Sequence, residues 1–194
     1  MTPYKHFTNP TDQRSGPNCG VTATAICAGV SFGRAWNVWR ALGGYYARRN
    51  WKGGTYTSDQ AKALEKLGIE HENVPFNRCT LNALAATLER GKVYMVTTTS
   101  HVQSVTIDDQ GAAFVADQRG VKPIADYWGK KKFVTKVREI KTPFKNAVER
   151  EQVIEAQKRA PATIQPQRHD TLFPSLFQDK RDTTHSSAQQ LTLF

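Results

Sequence analysis

Near residue 92 the apolar pattern of the chain changes its period, and that change narrows the possible folds sharply. Upstream, apolar residues recur every three or four positions. Gly20 to Val30 carries Val21, Ala25 and Ala28 at helical spacing, with Asn18 as a cap and Pro17 stiffening the entry. The next pattern, 33–49, sets Trp36, Trp39 and Leu42 three apart, with Gly43 and Gly44 interrupting it. A third, 57–70, has Thr57 or Ser58 as cap, Ala61, Leu64 and Leu67 on one face, and Gly68 as its stop. A fourth, 80–92, begins on Thr80 and closes on Gly91. Downstream, "KVYMVTTT", "HVQSVTI", "GAAFVAD" and "KKFVTKVREI" are rich in Val, Thr, Ile and Phe and separated by polar turns. Helices first and strands afterwards predict an α+β fold, an N-terminal helical part packed on a C-terminal antiparallel sheet.

Past Ile140 both periods fade. Residues 1–140 therefore form the expected domain, 141–160 a polar helix, and 161–189 a disordered tail of Gln, Thr, Ser, Pro and charge. No apolar run approaches the roughly 18 residues of a membrane span. The first residues lack the basic-then-apolar layout of a secretory signal. Three widely spaced cysteines do not suit a disulfide framework and suggest a reducing, cytoplasmic setting. The net charge of +10 is uneven: residues 1–140 hold 19 Lys and Arg against 11 Asp and Glu. The densest basic run, Lys130 to Lys132, reads as a solvated turn between strands, with weak nucleic-acid contact as the other reading. Neither metal-ligand spacing nor a phosphate-cradling glycine loop occurs, so no cofactor is predicted.

Cysteine chemistry is the stronger signal. "DQRSGPNCGVTATA" puts Cys19 at a helix start, where the helix dipole favours the thiolate. Cys27 sits inside the same helix among Ala and Val, the setting of an inert thiol, and Cys79 precedes a helix cap. A nucleophile needs a base. His6 lies in an N-terminal arm, His71 in a polar loop, and His169 and His185 in the tail, whereas His101 opens a strand. Asp117 ends the next strand, sixteen residues on. A short turn over 108–110, closed at Gly111, would pair the strands so that residue numbers sum to 218, with His101 opposite Asp117 on one face. Asp117 alone could equally be a turn residue; beside His101 it gains an orienting role. The Gln13 amide and the Cys19 N–H could serve a developing oxyanion, one such donor being worth ~3 kcal/mol in the barrier.

Gln13, then Cys19 followed by Gly20 at a helix start, then His101 on a strand and Asp117 sixteen later, resemble the papain-like cysteine peptidase superfamily. The simpler bacterial and phage forms, such as bacteriocin-processing peptidases with Asp in place of Asn, are the most similar. The resemblance spans roughly residues 10–140. It implies a helical subdomain carrying the cysteine, a sheet subdomain carrying the histidine, and a protein or peptide substrate in the cleft between them. Cys19 would attack a carbonyl, His101 would activate it, Asp117 would fix the imidazole, and Gln13 would hold the oxyanion. After Cys19 the chain reads "GVTATA" rather than the Ser/Ala-Cys-Trp of papain itself, so substrate specificity is not implied.

The chain ends in "QLTLF". Gln190, Leu191, Leu193 and Phe194 resemble the bacterial sliding-clamp binding motif, Gln-Leu-x-Leu-Phe, which suggests a peptide that orders on its partner. An apolar end docking on its own domain is the alternative. The apolar string 171–177 is more simply read as packing back on the domain. Together the features suggest a thiol hydrolase of peptide or isopeptide bonds, or an acyl transferase, tethered to the clamp in a bacterial cell, with a phage origin as one reading. A non-catalytic scaffold that binds or blocks the clamp is the competing reading.

Overall fold

The computed structural model describes residues 4–159. Among these residues five α-helices, α1 (Cys19–Ala28), α2 (Phe32–Arg40), α3 (Gln60–Lys66), α4 (Leu81–Ala85) and α5 (Ala147–Arg159), accompany six strands. These are β1 (His71–Asn73), β2 (Val93–Thr98), β3 (His101–Ile107), β4 (Ala113–Asp117), β5 (Gly120–Pro123) and β6 (Val134–Ile140). The strands form one sheet in the order β1-β6-β2-β3-β4-β5, every neighbouring pair antiparallel. The α+β expectation is met.

Every residue of α1 from Gly20 to Ala28 is buried, as suits a helix that is small and apolar all round. It packs on β3, β2 and β4 and is flanked by α2 and α3. Small side chains let these elements approach closely, and the polar ones are paired: Thr24 Oγ1 donates to the Gly20 carbonyl at 2.8 Å and accepts from Trp39 Nε1 at 3.1 Å. Gly29 ends α1 at φ +69°, and a Cβ there would lie 3.0 Å from Phe144 Cα and from the Ala147 N. Only glycine allows both the left-handed turn and that approach.

The central strands are buried on both faces. Val93, Met95, Val102, Phe114 and Ala116 join α1 and α2 in one core. Tyr94, Val96, Val105, Val115 and Val137 pack with Leu81, Leu84 and Tyr127 in a second core on the other face. β2 and β3 therefore read as near-continuous β-branched runs rather than clean alternation.

Several sequence-based boundaries shift. The third helix begins as a 3-10 turn, Thr57–Asp59, and buries Ala63, Leu64 and Leu67 rather than Ala61. Thr80 caps α4 as expected, its hydroxyl accepting from the Ala83 N–H at 3.4 Å, but α4 ends at Ala85 instead of running to Gly91. The short edge strands β1 and β5 had no sequence signal: three and four residues give no measurable period. Lys130 to Lys132 lie in the turn that precedes β6. The polar helix is α5, and its first part is tied in. Ala147 and Arg150 are buried, and the Arg150 guanidinium donates to the Thr8 and Asn9 carbonyls of the N-terminal arm. Among the described residues no helix is long and apolar enough to cross a membrane. The tail and the peptide 190–194 lie outside the described residues.

Candidate active site

Cys19 is the first residue of α1. Asn18 does not cap the helix with its side chain, contrary to expectation. Its amide instead donates to the Arg14 carbonyl and accepts from Gln118 Nε2, both at 2.7 Å. The first-turn N–H groups are thus left without a side-chain cap beside the sulfur, which favours negative charge there. Gly20 follows because nothing larger fits: a Cβ at that position would sit 1.8 Å from Thr55 Oγ1.

His101 and Asp117 meet as the sequence suggested, but by a different register. The β3–β4 ladder pairs Ser104 with Ala116 and Ile107 with Ala113, so residue numbers sum to 220 rather than 218. The connecting loop is longer than a short turn because Asp108 Oδ1 accepts from the N–H groups of Gln110 (3.0 Å) and Ala112 (2.7 Å). A shift of two preserves the face, so Asp117 lies diagonal to His101 instead of opposite. In the alternation of β3, His101 shares its side with Val105, while Val102 and Ser104 meet the α1 core. The imidazole and Cys19 line the same cleft.

His101 Nε2 is 2.9 Å from Asp117 Oδ2, with the two side chains 10 % and 2 % exposed. The same carboxylate accepts from Tyr127 Oη at 2.9 Å, Trp128 Nε1 at 3.2 Å and the Arg119 N–H at 2.8 Å. Burial opposes its charge, but the bonds from His101, Arg119, Tyr127 and Trp128 prevail and hold it down to about 2. With Nε2 committed to Asp117, Nδ1 is the nitrogen available to Cys19. Burial pulls the imidazole pKa down, yet the hydrogen bonds to Asp117 and Cys19 and both their charges raise it to about 9. Burial pushes the Cys19 thiol up; the His101 hydrogen bond, the Val102 and Gly20 backbone and the His101 charge outweigh it, leaving the thiol below its ordinary value. Both shifts favour the thiolate–imidazolium form of the pair over the neutral one.

The other thiols do not compete. Cys27 is fully buried with Sγ 3.3 Å from Ser104 Oγ, and burial pushes it up to about 12. Cys79 borders a larger groove of about 440 Å³ whose lining holds neither histidine nor carboxylate. His6 Nδ1 lies 3.4 Å from Glu151, and His71 Nε2 lies 3.7 Å from Glu65, and neither lines the cleft beside Cys19. His169 and His185 fall outside the described residues.

Gln13 is close in sequence but does not line the cleft beside Cys19. Its Nε2 donates to the Gln118 carbonyl at 2.7 Å, and its Oε1 accepts from Asn9 Nδ2 at 2.9 Å. Asn9 Nδ2 also donates to the Asp117 carbonyl at 2.6 Å. The amide expected to face an oxyanion thus commits one N–H to stitching the arm to the Asp117–Arg119 loop. Asn9, Gln118, Tyr127 and Trp128 carried no sequence signal as site residues. Trp128 is 45 % exposed, stands edge-on to His101 with ring centroids 5.3 Å apart, and covers the His101–Asp117 bond.

The cleft itself is about 330 Å³ and runs from Cys19 and His101 along Thr55, Thr57, Thr97 and Thr135. Among the described residues no cluster of three His, Cys, Asp or Glu side chains could hold a metal ion. Compared with known proteins, the chain matches no family model and no curated sequence.

Proposed function

We propose that the protein is a papain-like thiol hydrolase acting on a peptide or isopeptide bond, or transferring the acyl group, through a Cys19–His101–Asp117 triad. The observation that carries this reading is the hydrogen bond between His101 Nε2 and Asp117, which leaves Nδ1 to a Cys19 thiol whose pKa is lowered. The Cys19 sulfur adds to the carbonyl carbon, and the carbonyl π electrons move to oxygen. The Cys19 N–H at the uncapped start of α1 is the donor for that oxyanion. As the tetrahedral intermediate collapses, the imidazolium protonates the departing amine and a thioester remains. Nδ1 then takes a proton from water, or from an acceptor amine, whose attack frees the thiol. Asp117 keeps the ring in one tautomer and compensates its charge throughout.

The peptide Gln190 to Phe194 tethers this enzyme to the bacterial sliding clamp in the cytoplasm, a role supported by the four matching motif positions. A peptidyl vinyl sulfone should add its mass to Cys19 of the native chain and not to Cys19→Ala. Equal labelling of the variant refutes the nucleophile. Removing residues 190–194 should abolish clamp capture and leave Cys19 labelling intact; clamp capture without any labelling of the native chain favours the non-catalytic scaffold.

A further inference from the structure

The cleft beside Cys19 is lined mainly by hydroxyl side chains. Seven of its ten residues are Ser or Thr, and none is acidic. Thr55 Oγ1 is buried at its wall with no hydrogen-bond partner among the described residues. Behind the lining lies Arg138, only 4 % exposed. Its Nη2 donates to the Thr57 carbonyl at 3.1 Å, and its Nη1 donates to Gln60 Oε1 at 2.5 Å. Gln60 Nε2 in turn donates to Thr97 Oγ1 at 3.2 Å. Thr57 and Thr97 both face the cleft. Arg138 Nε has no partner, and among the described residues no carboxylate lies within ion-pair distance of the guanidinium. The neighbouring Glu139 is taken by Lys92 and Lys141.

A second cation stands at the rim. Lys132 Nζ is 3.4 Å from Ser100 Oγ and 4.4 Å from the Trp128 ring centroid, again without a carboxylate partner among the described residues. Arg119 stacks on the same ring at 4.5 Å. A buried, uncompensated guanidinium is costly, and its potential extends further in a low-dielectric wall than in water. Hydroxyls with a cation behind them and another at the mouth match a carboxylate, and they oppose a basic or an apolar side chain. The dimensions suit one side chain rather than a nucleic-acid strand.

We propose that the cleft is a specificity subsite for a carboxylate. On the reading of Cys19 as nucleophile, the substrate is then a protein or peptide with a Glu or Asp side chain at, or immediately before, the residue whose carbonyl is attacked. Thr55, Thr57 and Thr97 supply hydrogen bonds, and Arg138 and Lys132 supply the charge.

The test uses the full chain and acetylated peptidyl vinyl sulfones differing only in Glu, Gln or Lys at those two positions. The Glu probe should label Cys19 at least about tenfold faster than the Gln probe at one of the positions, with Lys slowest. Lys132→Gln, and Arg138→Met provided that its melting curve shows a folded chain, should each bring the Glu-to-Gln ratio down towards one. Equal rates for Glu and Gln, with Cys19 still faster towards iodoacetamide than a free cysteine, overturn the subsite alone. Failure of every probe together with ordinary iodoacetamide reactivity overturns the hydrolase reading and the subsite with it. Equal suppression of all three probes by a single-stranded oligonucleotide overturns the subsite in favour of a nucleic-acid surface.

Discussion

Replacing Gly20 by Ala sets two physical effects against each other. A glycine-to-alanine change inside a helix contributes up to about 1 kcal/mol of stability through propensity. Here the added Cβ would lie 1.8 Å from Thr55 Oγ1, 2.8 Å from Thr55 Cβ and 3.0 Å from Thr55 Cγ2. Normal contact needs roughly 3.5 Å or more, so the wall must retreat by about 1.5 Å. Rotating Thr55 is no remedy, because its own Cβ is already too close. Overpacking costs about 1–3 kcal/mol, and an approach of 1.8 Å belongs to the upper part of that range, about 2–3 kcal/mol, which exceeds the propensity gain. The expected net loss is about 1–2 kcal/mol, or a fall in Tm of about 2–8 °C for a chain of this size. Because Thr55 borders the sulfur, the labelling rate of Cys19 should fall as well, a 1 Å misplacement being able to cost roughly 10²-fold. Combining G20A with Thr55→Gly should recover part of both losses, since the two sites share one contact. Thermal unfolding and iodoacetamide kinetics on the single and double variants provide the measurement. A G20A chain as stable as the original, or more stable, refutes the close approach of α1 to the Thr55 wall.

Four further outcomes follow from the ionised groups. Iodoacetamide should react with Cys19 at pH values below the ~8.5 of a free thiol, and His101→Ala should move that profile up towards it; an unchanged profile removes the pairing. Acyl transfer should decline above about 9, where His101 loses its proton. Asp117→Asn should lower turnover by about 10²–10⁴-fold while leaving the fold recognisable by circular dichroism. Asp117 is about 2 when folded, below its ordinary ~3.9, so its charge stabilises the fold above about pH 4 and the contribution vanishes as pH falls through 2. That contribution is about 2–3 kcal/mol, and D117N should flatten the acid limb of a stability–pH curve; an identical limb contradicts the buried pair.

The sequence carried the parts of the site that depend on local pattern. Cys19 stood out because a small apolar run begins beside it, and His101 because it opens a run of Val and Thr after polar residues. Their meeting with Asp117 depended on parity: the ladder sum of 218 was two residues off, and a slip of two keeps side chains on the same face. The cause of the slip, the Asp108 carboxylate closing a longer loop, is a side-chain preference that period cannot reveal. Tyr127 and Trp128 were illegible for a different reason. They sit after an edge strand of four residues and reach Asp117 only through tertiary packing. Gln13 shows the converse: its spacing from Cys19 was visible, but one of its amide N–H groups serves the Gln118 carbonyl, a partner 105 positions away.

The attachment of α5 gives the molecule a short load path. Arg150 holds the Asn9 carbonyl, and the Asn9 amide holds the backbone of Asp117, so two side chains connect the last described helix to the carboxylate behind the imidazole. A pull entering through α5 arrives at that carboxylate without passing through the sheet.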